Sequence, residues 1–352
     1  MRIDSLKISR EKTRLHTPFK TALRTAVEID CIQVEITLHN GIKGRGEASP
    51  TYVITGDSTE SIEAALNGPI REVLIGLDIF RFQEALKRIQ SCCVGNTSAK
   101  AAADIALFDA YCKLWNIPLF SFLGDQKPIQ TCMTIGVDEP EAMAATALEK
   151  VKEGFRILKL KVGEDPKLDM ARIKAIIKTV SDDIKLRLDA NQGWTPKQAV
   201  KLIRKLQQED FPIEFIEQPV KAQDLEGLKF VTERVDIPIM ADESVFSARD
   251  ALKIVSGHYA DLLNIKLMKC GGISEAIKIA SMAEAAGVAC MIGSMIESPQ
   301  SVGAAAHLAA AHPNIQYFDL DAPLWLSTEP QYLIYEGENI TLPNKPGIGT
   351  VS

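Results

Sequence analysis

The chain has 352 residues, 46% of them hydrophobic and 24% charged, the balance of an ordinary soluble globular protein. Its formal net charge of -6 argues against a nucleic-acid or anionic-membrane surface as partner. The start, "MRIDSLKISREKTRL", lacks the apolar core of a secretory leader, and no apolar run reaches the length of a membrane span.

The predicted elements begin with strands: "RIDSLKIS", "CIQVEITLHN" and "KGRGEAS", with Asn40-Gly41 marking a hairpin turn. Helical patterns follow at about 58–68, about 79–92 and, rich in Ala, about 97–114. Strands first and helices second predict an α+β domain over 1–128. From residue 129 to 322 strand and helix alternate. Candidate strands are "TCMTIG", "ILKLKVG", "KLRLDAN", "IEFIEQP", "IPIMADES", "LLNIKLMK", "VACMIGS" and "IQYFDLD". Thr195-Pro196, Ser247 and Ser274 mark the openings of intervening helices. Strands recur roughly every 24–28 residues, the repeat of a β/α unit, and eight of them make a closed α/β barrel. An open doubly wound sheet is the alternative, but no Gly-rich phosphate turn follows any of these strands. The remainder, 323–352, reads as a hairpin and a tail returning to the first domain. The seven cysteines contain no CxxC pair and lie mostly among apolar neighbours, so they read as reduced core thiols of a cytoplasmic protein.

In such a barrel the active site forms at the C-terminal ends of the strands. The second strand ends with Lys159 and Lys161, the third with Asp189 and Asn191, the fourth with Glu217, the fifth with Asp242 and Glu243. The sixth carries Lys266, and the eighth ends with Asp319 and Asp321. Asp189, Glu217 and Asp242 on three successive strands would repel one another unless they share a cation, and an all-oxygen ligand set favours one Mg2+ per subunit. A network with local Lys or Arg is the plainer alternative.

The second and sixth strands lie opposite each other in an eight-membered ring, so Lys161 and Lys266 are expected to face each other across the barrel axis. A substrate α-carbon between two amines could lose its proton to one face and regain it from the other, a two-base racemisation or epimerisation. A lysine base must be neutral when it acts, and lowering its pKa by about two to three pH units takes roughly 3–4 kcal/mol of differential interaction. Lys159 and the metal are expected to supply the depressing charge, and Lys159 to stabilise the developing enolate.

The KxK at 159–161, the acids in "LDANQGW", "IEQP" and "ADES", and Lys266 in "NIKLMKCGG" together resemble the enolase superfamily, in its muconate-lactonising-enzyme-like subgroup. The resemblance covers essentially the whole chain. It implies a capping domain, a modified (β/α)7β barrel, and abstraction of a proton α to a carboxylate with magnesium. No His base ends the seventh strand; the nearest His residues, 258 and 307, lie elsewhere. Asp319-Leu320-Asp321 resembles the dipeptide epimerase signature, which implies a substrate with a free ammonium group; the alternative is a loop cap. Residues 17–30, "TPFKTALRTAVEID", resemble the family's mobile loop over the barrel, with Arg24 able to meet an acidic substrate side chain. By family position Thr134, Ser294, Met295 and Glu297 are expected to line the substrate. The expectation is a dipeptide epimerase acting on the C-terminal residue of an L-Ala-led dipeptide, with Ala-Glu or a hydrophobic dipeptide as candidates. It has no nucleic-acid or membrane partner and could be a homo-oligomer. An o-succinylbenzoate synthase, cycloisomerase or N-acylamino-acid racemase is the rival within the subgroup, and a non-catalytic peptide-binding protein the rival outside it.

Overall fold

The computed structural model describes residues 1–329 and 331–350. Strands β1 (Ile3–Lys20), β2 (Thr25–Leu38) and β3 (Lys43–Ala48) form an antiparallel sheet in that order. The β2–β3 turn falls at Asn40-Gly41, where Gly41 takes a φ of 84°, as the Asn-Gly pair predicts. Helix Thr97–Leu114 packs on this sheet and is buried nearly all round, which its Ala-rich sequence permits. Gly44 and Gly46 of β3 let the helix backbone approach closely: a Cβ on Gly46 would lie 2.0 Å from the Ala102 carbonyl oxygen.

Segment 17–30, expected as a loop, is largely strand. The β1–β2 pairing continues past a register shift between Arg14 and Phe19 and turns only at Thr21–Arg24, where Thr21 N donates to Arg24 O at 2.9 Å. Its polar residues disguised the alternation, because both faces of a projecting hairpin meet water over much of its length.

After β4 (Ile129–Gln130) comes the barrel: β5 (Met133–Ile135), β6 (Ile157–Lys161), β7 (Lys185–Asp189), β8 (Ile213–Glu217), β9 (Ile239–Ala241), β10 (Leu262–Lys266), β11 (Cys290–Gly293) and β12 (Ile315–Asp319). All eight run parallel in sequence order, each strand hydrogen-bonded to the next. The seam between β12 and β5 is bridged by Cys132 N to Phe318 O at 3.3 Å and by Leu320 N to Thr131 Oγ1 at 2.8 Å. Helices separate the strands, but β12 leads into a single 3-10 turn, Ala322–Trp325, so the barrel is of (β/α)7β form. Beneath the strand ends, Arg187 is buried between Phe215 and Tyr317 and ion-paired to Glu214 at 2.8 Å. The interior is a packed layer, not a pore.

The chain then forms a hairpin, β13 (Ile334–Glu336) and β14 (Asn339–Thr341), which extends β4 rather than the first sheet. The tail beyond it reaches the N-terminal helices, where Leu119 N donates to Gly347 O and Ile348 N to Asp109 Oδ1. No described helix is long and apolar enough to cross a membrane.

Candidate active site

Parallel register sets the site. Lys161 on β6 pairs with Asp189 on β7, and Asp189 with Glu217 on β8. Asp242 follows β9, so the three acids arrive at one level of the ring. Their carboxylate oxygens lie within 4.8 Å of one another, and the residues are between 0% and 1% exposed. Neighbouring side chains hold them. Asn264 Nδ2 donates to Glu217 Oε1 at 2.8 Å, and Gln218 Oε1 accepts from Asp242 N at 2.9 Å. Gln218 and Asn191 have φ of 36° and 41°, left-handed conformations at the strand ends. Strained backbone of this kind survives only where surrounding bonds over-determine it, and it clusters at functional sites.

Four lysines meet the acids. Lys159 Nζ reaches Asp189 at 3.0 Å, Glu217 at 2.7 Å and Asp319 at 2.7 Å. Lys161 Nζ takes the same Asp189 Oδ2 at 2.6 Å, and Lys266 Nζ takes Asp242 Oδ2 at 2.7 Å. Lys269, fully buried, donates to the side chain and backbone oxygen of Asp242. Lys161 and Lys266 come from β6 and β10, four strands apart, and line the same cavity.

Lys159 and Lys161 share one carboxylate oxygen, so their charges are bridged as well as opposed. Burial lowers Lys159 and Lys266, but the acids outweigh it and raise both: Asp189, Asp319 and Glu217 for the first, Asp242 for the second. Conversely, burial raises Asp189 and Asp242, yet Lys159 and Lys161, and Lys266 and Lys269, hold them below the usual carboxylate range. Burial together with Asp189 pushes Glu217 up to about 8, and burial together with Asp242 pushes Glu243 up to about 7.

The donor set fits a divalent cation. Four buried ammonium groups (159, 161, 266, 269) face six buried carboxyl groups (189, 217, 242, 243, 319, 321), so two acids have no lysine to match them, and burial with neighbouring charge holds Glu217 and Glu243 toward their neutral forms. Among the described residues Glu217 Oε2, Glu243 Oε2 and Asn191 Oδ1 are buried acceptors without a hydrogen bond; Lys159 lies near the first but out of alignment. All the candidate ligands are oxygens, the preference of Mg2+.

On the substrate side, Thr134, Ser294, Met295, Asp319, Asp321 and Arg24 line the cavity with the lysines. Asp321 Oδ2 accepts from Thr134 N at 2.7 Å, and burial with the charge of Asp319 pushes its carboxyl up to about 6. Arg24, at the hairpin tip, makes no ion pair among the described residues, and burial lowers its pKa. Glu297 is not brought to the cavity. Its carboxylate turns inward, accepting from Met295 N at 2.8 Å and from Ser301 Oγ, so it braces the loop that presents Ser294 and Met295. Ser301, in the first turn of the helix that opens at Pro299, supplies that hydroxyl.

Reading the strand ends passed over Lys269, Gln218 and Asn264. Lys269 had one visible signal, an i+3 repeat of lysine after Lys266 in "KLMK"; the two amides had none.

Residues 142–351 match the family described as Enolase C-terminal domain-like, and residues 3–124 match the Mandelate racemase / muconate lactonizing enzyme, N-terminal domain. The chain is 48% identical to an L-Ala-D/L-Glu epimerase of Bacillus subtilis, over 100% of this chain and 97% of that protein. It is 46% identical to a hydrophobic dipeptide epimerase of Enterococcus faecalis, over 94% and 93% of the two chains. The structure of a substrate-liganded complex of the B. subtilis epimerase superposes with a TM-score of 0.98 at 48% identity, covering 100% and 99% of the chains. The E. faecalis dipeptide epimerase complexed with Mg and L-Leu-L-Tyr does so at 0.95 and 44%, covering 99% of each. With both of its parts matched and relatives this similar along their whole length, the chain belongs to the mandelate racemase/muconate lactonizing enzyme family of the enolase superfamily, on its dipeptide epimerase branch.

Proposed function

We propose that the protein is a magnesium-dependent dipeptide epimerase that inverts the α-carbon of the C-terminal residue by moving a proton between Lys161 and Lys266. The observation that carries this reading is the placement of these two amines on opposite strands of the ring, in one cavity with the acidic cluster and Asp321. Asp189, Glu217 and Asp242 would hold the metal. A magnesium ion held there would compete with the lysines for these carboxylates and would stabilise the negative charge that grows on the substrate carboxylate as the α-proton leaves.

The chain's own groups do the rest. One lysine, neutral, removes the α-proton; the other, protonated, returns a proton to the opposite face, and the roles exchange for the reverse direction. Lys159, ringed by acids and held protonated, donates to the developing oxyanion. Asp319 and Asp321 face the substrate ammonium, which fixes the α-carbon between the two bases. The hairpin tip at Thr21–Arg24 excludes water above them.

Two observations bear on the side chain accepted. The unpaired Arg24 guanidinium suits an acidic residue, making L-Ala-L-Glu, of the kind found in peptidoglycan, the first substrate to test. Leu23, Ile54, Met295 and Ile296 in the same wall suit a hydrophobic dipeptide, the second reading. The setting is cytoplasmic on this reading, where seven free cysteines stay reduced.

The test is proton NMR in deuterium oxide with magnesium on a panel of L-Ala-led dipeptides. The expected result is loss of the C-terminal residue's α-proton signal as the other diastereomer appears. Silence across the panel overturns the reading and favours a cycloisomerase.

A further inference from the structure

Trp325 ends the turn that follows β12 and is 9% exposed. Its indole Nε1–H donates to Asp321 Oδ2 at 3.2 Å, the same oxygen that accepts from Thr134 N. Its ring meets Phe19 edge to face, with centroids 4.9 Å apart and planes at 87°. The Phe19 ring in turn lies 5.9 Å from Lys161 Nζ. A buried indole needs a partner for its N–H, and an aromatic face attracts an ammonium at about this range. The contacts thus run unbroken from the carboxylate at one end of the cavity to the amine at the other.

The backbone on either side is tied to the same hairpin. Leu326 bridges to Leu15 of β1, and both the amide and the hydroxyl of Ser327 donate to Arg14 O, at 2.9 and 3.0 Å. These ties fall where the β1–β2 register slips, between Arg14 and Phe19. Pairing resumes past the slip at Phe19, opposite Ala26, and Trp325 receives the Phe19 ring.

Resting on the proposed reading, in which Asp321 holds the substrate ammonium and Lys161 is one of the bases, we infer that Trp325 is a positioning residue that couples the two. Through its N–H it orients Asp321; through its ring it seats Phe19, which holds the Lys161 ammonium and shields it from solvent on the hairpin side. Binding of the substrate ammonium and alignment of one base are thereby mechanically joined, while Lys266 on the far wall is outside the linkage.

Three variants separate this from a gap-filling aromatic. Trp325→Phe keeps a ring and loses the N–H; it is expected to raise KM for the dipeptide about fivefold with kcat within about twofold of wild type. Phe19→Leu and Trp325→Leu lose the ring contact. Each is expected to slow α-proton exchange of one epimer, the one that Lys161→Ala no longer exchanges, at least about fivefold more than that of the other. Equal slowing of both epimers, or an unchanged KM in Trp325→Phe, overturns the linkage. Amide hydrogen exchange of residues 15–24, read in the folded protein without substrate, gives an answer that does not depend on activity. Trp325→Leu is expected to speed exchange across that segment more than in the barrel strands, and Trp325→Phe to leave it near wild type; unaltered exchange in Trp325→Leu overturns the linkage. Should wild type exchange no dipeptide while this segment still loosens in Trp325→Leu, the proposed activity fails and the contact between Trp325 and the hairpin stands.

Discussion

Lys161 and Lys266 look alike in sequence, yet each leans on a different acid, Asp189 and Asp242. The proposed two-base chemistry makes them separable. Lys266→Ala is expected to lower epimerisation by about 10²–10⁴-fold, the worth of one positioned base. Deuterium exchange from the face that Lys161 serves should persist, and NMR of each epimer alone checks it. Arg24 tests specificity at the same scale. Its guanidinium lines the cavity with no carboxylate partner among the described residues, so Arg24→Ala should cut kcat/KM for L-Ala-L-Glu by about 10–100-fold, the loss of one hydrogen-bonded ion pair. Hydrophobic dipeptides should change little. A uniform loss across the panel would make Arg24 a hairpin strut instead. Charged residues at strand ends were legible because alternation and the barrel's polarity say where they point. Lys269 and Gln218 were not, because they act through Asp242, and only the folded chain brings them to it.

Elements bring the site's two halves together. Helix Pro299–Ala311 carries His307, whose Nδ1 accepts from Phe120 N at 3.1 Å and whose Nε2 meets Ile348 O at 2.8 Å. Burial lowers its pKa to about 4. Above the ordinary value of about 6.5 it is neutral folded and unfolded, and contributes no pH dependence. Between about 6.5 and 4 the unfolded chain takes up a proton that the folded one refuses, so stability falls with pH, by up to about 3 kcal/mol. Burial pushes Asp104 and Glu47 to about 7, which gives the opposite slope over the same range. The comparison that isolates His307 is therefore urea unfolding of wild type against His307→Gln from pH 4 to 7, in which the variant should lose only the acid-side decline. Close packing of Thr97–Leu114 on β3 makes a second element-scale prediction. Gly46→Ala drives a methyl into the Ala102 carbonyl and should cost about 3 kcal/mol in the same assay. The Ala-rich pattern announced a helix; that it is buried and that two glycines receive it became visible only when β3 was placed beneath.

Across the whole molecule the cluster of acids is a store of repulsion that a cation relieves. Magnesium at a hundred times its dissociation constant should stabilise the protein by about 2.7 kcal/mol. Differential scanning calorimetry should show the midpoint rising with magnesium and falling with chelator, and Asp242→Asn should remove most of that response. An identical response in the variant would place the cation elsewhere. The loops that follow β6 and β7 show why the cluster can be held so tightly. A Cβ at Gly193 would come 1.9 Å from Gly163 O, and Asp169 ties Gly163 N and Trp194 Nε1 together at 3.0 Å each. The strand ends are clamped from outside the site.

By itself the sequence determined the eight-stranded α/β barrel and the level at which the acids and lysines meet, from a period-two strand pattern, a β/α repeat and the fixed polarity of a parallel barrel, all local or cyclic properties of the chain. The (β/α)7β form and the family came through the resemblance carried by the KxK, the acid motifs and Lys266. Tertiary structure alone decided that Glu297 braces a loop, that residues 17–30 are hairpin more than loop, and that Lys159 is drawn up in pKa by three carboxylates. It also decided that Trp325 touches both Asp321 and Phe19. Each of these depends on partners far apart in the chain, whose distance and direction are set by how the strands close into a ring and how the hairpin lies across it.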